Sequence, residues 1–171
     1  MRRQILATGL ALVTLVALAA GPVAAGGSHR KTFEFESMIG VQRPFTGSTN
    51  PVRGINGGGL PWVIGSAEGE LSRSGRLELE IRHLVIDPND PAAIAAGLAG
   101  KNPIASFRAV VSCANADGSF TNVSSDPFPV TTGLNGGSGE LETRLLVPSP
   151  CMDPMVFVTS PGGAWFARTN G

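Results

Sequence analysis

Beyond residue 30, apolar and polar positions alternate or gather in short blocks bounded by Gly, Pro, Asn and Asp, the period-two signature of β-strands. Thr32–Ile39 sets Phe33 and Phe35 against Glu34 and Glu36, so one face is predicted to be buried and the other wet. Residues 62–71 and 76–86 flank Ser72-Arg73-Ser74-Gly75, a hairpin turn in which the glycine supplies a positive φ. In the second of these strands Leu77, Leu79, Ile81, His83 and Val85 share one face, which predicts an inward or rim position for His83. Ile104–Cys113 is a nearly continuous apolar run, predicted to be covered on both faces, and Asn115-Ala116-Asp117-Gly118 turns it into Ser119–Ser124. Phe128–Thr132, Glu140–Val147, Met155–Thr159 and Ala164–Thr169 complete the set.

About eight strands at this spacing predict an all-β fold, an antiparallel β-sandwich of Ig-like or jelly-roll type, and not one built from βαβ units. The one helical candidate is Pro91–Leu98, where Asn89-Asp90-Pro91 offers a cap and first turn. Between the first two strands, Gly40–Pro61 is a glycine- and proline-rich connection of a length that is usually functional or disordered. Its alternative reading is a pair of short edge strands, Val41–Phe45 and Val52–Ile55, joined by turns.

The N-terminus changes the context. Arg2 and Arg3 precede an uncharged apolar run, Ile5–Ala20, which Gly21-Pro22 breaks before the small residues Val23-Ala24-Ala25. This pattern predicts a secretory signal peptide over residues 1–25 and a single exported domain over 26–171, with no membrane span once the signal is removed. Arginine greatly outnumbers lysine and alanine is abundant, which suggests a bacterial source. In an oxidising compartment Cys113 and Cys151, the only cysteines, are expected to form one disulfide. It closes a loop of about 39 residues, worth about 3.9 kcal/mol by chain entropy.

Charge and composition then exclude function classes. The chain carries 13 Lys+Arg against 13 Asp+Glu, only 15% charged residues in all, which argues against a nucleic-acid partner. With two cysteines and two histidines, His29 and His83, a transition-metal site is hard to assemble. Neither histidine stands in a nucleophile motif, and Glu34/Glu36, Glu68/Glu70, Glu78/Glu80 and Glu140/Glu142 read as solvated strand faces before they read as glycosidase pairs. Calcium is the one cofactor left open, at Asp87-Pro88-Asn89-Asp90 or Asn115–Gly118, both of which also read as Asx turns. Asn122-Val123-Ser124 fits a glycosylation acceptor pattern to which no function is attached. For ligand binding the candidates are Arg43, Phe45, Arg53 and Trp62, two planar cations beside two aromatic faces in or next to the long connection.

Three segments, GINGGGLPWVI from Gly54, NPIASFRAVVSC from Asn102 and PSPCMDPMVFVTSPGGAWFA from Pro148, resemble a set of exported prokaryotic β-sandwich proteins without an assigned activity. The resemblance implies secretion and a single domain, and it transfers no site residue. The expected function is therefore a non-catalytic exported module of the cell envelope or extracellular space that binds a small molecule, a glycan or a protein. The alternative is a hydrolase or lyase working through carboxylates or His83.

Overall fold

A computed structural model describes residues 31–170. The signal peptide expected at 1–25 and His29 lie outside the described residues. The described chain forms β1 (Lys31–Phe35), β2 (Met38–Gly40), β3 (Trp62–Val63), β4 (Ser66–Ser72), β5 (Arg76–Arg82), β6 (Val85–Ile86), α1 (Pro91–Ala95), β7 (Lys101–Asn102), β8 (Ser106–Ala114), β9 (Phe120–Ser124), β10 (Phe128–Pro129), β11 (Gly133–Leu134), β12 (Gly139–Arg144), β13 (Met152–Thr159) and β14 (Trp165–Thr169). Eight of these strands are five residues or longer; the other six are two- or three-residue ladders.

Two antiparallel sheets carry the all-β sandwich, one ordered β1-β4-β5-β12 and the other β10-β8-β13-β14-β2, with β9 also paired to β8. The apolar alternation of the first sheet turns Phe35, Ala67, Leu71, Leu77, Leu79 and Ile81 into the core. The second contributes Phe107, Ala109, Val111, Val156, Val158 and Ala167. Between them Trp62 stacks on Phe166 at 4.1 Å between ring centroids, and Phe107 packs against both at 6.2 and 5.6 Å. β8 is buried from Ala109 to Cys113 on both faces, as its nearly continuous apolar run predicts.

The predicted hairpin is present: β4 and β5 pair from Ser66↔Arg82 to Leu71↔Leu77, and Gly75, at φ +80°, donates its N–H to Ser72 O at the turn. Cys113 and Cys151 are bonded, tying β8 to the start of β13. α1 is shorter than predicted; Asp90 caps it by accepting from the N–H groups of Ala92 and Ala93.

Two expectations are corrected. The predicted strand Thr32–Ile39 is broken by a bend at Glu36, which sends β1 to one sheet and β2 to the other. His83 does not share the inward face of β5. Its φ is +54°, so the alternation breaks after Arg82, the imidazole is exposed, and Leu84 takes the fully buried position.

Gly40–Pro61 is folded, not structureless. Val52 and Ile55 form a bridge, Gly47 N–H donates to Gly58 O, Trp165 N–H donates to Asn56 O, and Gly57 forms a parallel bridge to Trp165. A Cβ on Gly57 would come within 2.0 Å of Phe45 O, so this glycine permits a close backbone approach and is not a hinge.

Candidate functional site

The outer face of the four-stranded sheet is built from the polar half of four alternations. Register sets Glu34 opposite Glu70, Glu70 opposite Glu78, and Glu78 opposite Glu142; one step along, Glu68 faces Glu80 and Glu80 faces Glu140. Glu36, at the bend past β1, adjoins the second row. All eight glutamates of the chain line this face, and none of its five aspartates does. Together they enclose a shallow trough of about 590 Å³.

Neighbouring strands lie about 4.8 Å apart, and like charges directly opposite each other across a pair destabilise a sheet. Arg76 and Arg82, on the same face of β5 on either side of the two rows, offset part of that repulsion. Arg76 pairs with both Glu78 and Glu142 at 2.8 Å, and Arg82 pairs with Glu80. The Glu142 partner, through its hydrogen bond first and its charge second, raises the Arg76 guanidinium above its ordinary value. A soluble strand face needs polar side chains, and Thr, Ser or Lys would serve as well as Glu; concentrating one acidic residue type here is not a folding requirement.

One measurable consequence follows for stability. Screening shortens the reach of the opposed carboxylates, so raising NaCl from low to physiological ionic strength is expected to raise the melting temperature at pH 7. The quadruple variant Glu68→Gln/Glu70→Gln/Glu78→Gln/Glu80→Gln should be more stable than the natural chain at low salt, and its melting temperature should depend less on salt. Equal salt dependence in both proteins would show that the opposed rows carry no net repulsion.

The residues singled out in the long connection are dispersed and not gathered around one cavity. Trp62 is only 3% exposed and belongs to the core stack. Arg43 pairs with the Asp90 carboxylate, which is 2% exposed. Arg53, itself 8% exposed in its side chain, donates to the Ser112 carbonyl at 3.1 Å and to the carbonyl and carboxylate of Asp153 at 2.7 and 2.6 Å, and lies over the Phe120 ring at 4.9 Å. Its main work is to hold the connection against β8 and β13. Phe45 is 40% exposed.

The other candidates resolve into turn chemistry. Asp87 accepts from Asn89 N–H, and Asp117 accepts from the N–H and hydroxyl of Ser119, as Asx turns do. Asp90 is committed to Arg43 and to the α1 N–H groups. Among the described residues, no three His, Cys, Asp or Glu side chains are arranged to hold a metal ion. The exposed His83 ring donates from Nδ1 to the Asn135 carbonyl at 2.8 Å, so a main-chain oxygen orients it where a triad would use a carboxylate.

The Arg43 hydrogen bond, and the N–H groups of Ala93 and Ala92, hold the Asp90 carboxyl below the usual carboxylate range despite its burial. A depressed folded-state value contributes stability that is fully present above the unfolded value of about 3.9 and is lost as pH falls through the folded one. Asp117 is lowered in the same sense by Ser119. Thermal scans below pH 4 should therefore show a steeper loss of stability for the natural chain than for Asp90→Asn, which should itself melt a few degrees lower at pH 7 because its cap and ion pair are weakened. Parallel profiles for the two proteins would contradict this role.

No family model, curated protein or solved structure matches the chain. Among the described residues no helix is long and apolar enough to cross a membrane.

Proposed function

We propose that the protein is an exported, non-catalytic binding module and that the glutamate face of its four-stranded sheet meets a cationic protein or peptide surface. The observation that carries this reading is the segregation of all eight glutamates onto one sheet face in two directly opposed rows, at a cost in self-repulsion that a cationic partner would relieve. The spacing suits such a partner. Side chains on one face of an extended chain recur about every 6.8 Å, the same interval that separates the two glutamate rows. Export is supported by the charged, apolar and small-residue order of the first 25 residues and by the single disulfide. A bacterial source and a place in the cell envelope or outside the cell belong to the same reading.

The test is titration of a lysine-rich peptide into the natural chain and into the quadruple Gln variant, at low and at physiological salt. The natural chain should bind with strongly salt-dependent affinity, and the variant should bind at least about tenfold more weakly, a difference of 1.4 kcal/mol. Equal affinity for the two proteins, or tighter binding of a glutamate-rich control peptide, would overturn the assignment.

A further inference from the structure

A second concavity lies on the other sheet, where the long connection crosses β8 and β9. It encloses about 370 Å³, within the range of about 300–1,000 Å³ that holds small molecules. Among the described residues no charged side chain lines it. One wall is Gly54-Ile55-Asn56 of the connection, the floor and opposite wall are Val110 with Asn122 and Ser124, and the turn Gly162–Ala164 closes the end. We propose that this crevice binds an uncharged, hydroxyl-rich ligand of sugar size.

The walls are preformed. Asn122 Nδ2 donates to the Arg53 carbonyl at 3.0 Å, Arg53 is anchored on Ser112 and Asp153, and Asn56 O accepts from Trp165 N–H at 2.8 Å. Little ordering is left for a ligand to bring about. The chemistry offered is neutral: the Asn56 carboxamide, the Asn122 side-chain oxygen and the Ser124 hydroxyl supply donors and acceptors, while Ile55 and Val110 supply an aliphatic surface for the C–H face of a ring. The lining offers no countercharge, so it favours a neutral ligand over an ion.

A second observation lies in the strand beneath. Ser112, directly opposite Asn122 and on the same face as Val110, is fully buried with a hydroxyl that has no hydrogen-bond partner among the described residues. A buried polar atom left unpaired is a cost that native cores generally avoid, and here it sits beside the neutral polar lining of the crevice. The glycines complete the case. Gly54 and Gly163 have φ values of +80° and +93°, a backbone conformation that favours glycine, so main chain without side chains forms these walls.

The test uses the full mature chain, with amide chemical shifts followed during titration with glucose, N-acetylglucosamine and maltose into the tens of millimolar. The expected result is saturable shifts confined to residues 54–56, 122–124 and 162–164. Gly162→Leu adds bulk at a residue without positive φ, where the nearest atom among the described residues is Ser160 Oγ at 3.7 Å, and Ser124→Val removes the hydroxyl from an exposed strand position. Either variant, once its melting temperature shows that it folds, should weaken binding by about tenfold or more. The quadruple Gln variant, altered on the other sheet, should bind the same sugar normally, which separates this site from the proposed cationic one. Absence of saturable shifts with all three sugars, shifts that map to the glutamate face, or affinity unchanged in both crevice variants would each overturn the proposal.

Discussion

Replacing Cys113 and Cys151 together by alanine is expected to lower the unfolding free energy by about 4 kcal/mol, a large share of the roughly 5–15 kcal/mol that holds a domain of this size folded. The bridge spans a sequence separation of 38 residues, so its removal returns the loop-closure entropy of that segment to the unfolded chain. Cys113 is fully buried, and the smaller alanine side chain leaves its neighbours short of contacts as well. The loss should also spread in a defined direction. Arg53 is anchored on Ser112 and Asp153, each within two residues of a bridged cysteine, so hydrogen exchange should accelerate in residues 52–57 before it accelerates in β4 and β5. Urea unfolding of the two proteins checks the magnitude, and a difference under about 1 kcal/mol would mean that the bridge constrains little.

Phe107→Ala should cost about 3–5 kcal/mol, comparable with loss of the disulfide. The ring has no exposed surface and fills the space between Trp62 and Phe166, whose own 4.1 Å stack leaves them little freedom to collapse into the gap. The defect should be visible beyond stability. Trp62 fluorescence should change as the indole loses its edge-on neighbour, whereas Phe120→Ala, at a 43% exposed ring, should cost far less. A Phe107→Ala protein as stable as Phe120→Ala would show that the aromatic cluster is not the centre of the core.

Together with the quadruple Gln variant, these substitutions separate what folds the protein from what its surface is available to do. The core changes should lower stability and leave intrinsic affinity for a basic peptide nearly unchanged, provided the measurements are made on folded protein. The glutamate changes should do the reverse. That contrast follows from the sandwich itself, in which the residues that alternate with the core side chains are free to vary without disturbing it.

Much of the fold is legible in local pattern, because strand alternation and turn chemistry act over a few residues. Phe33/Phe35, Leu77/Leu79/Ile81 and the run through β8 announce their faces by period two, Ser72–Gly75 announces a hairpin, and an isolated pair of cysteines announces its bond. The four Glu-x-Glu pairs are equally visible one strand at a time. What no single strand contains is that β1, β4, β5 and β12 are neighbours in a register that sets the glutamates opposite one another, since pairing between segments far apart in sequence is decided by how the buried faces pack. His83 fails for a related reason: alternation assumes extended backbone, and a positive φ demanded by the path from β5 into β6 reverses the face without leaving a trace in the apolar pattern. Tertiary packing also decided the fate of the long connection. Arg53 and Trp62 look like ligand contacts in the sequence, yet Trp62 is buried in the core stack and Arg53 is anchored on main-chain oxygens, while neutral Asn56, Asn122 and Ser124 line the crevice next to Arg53.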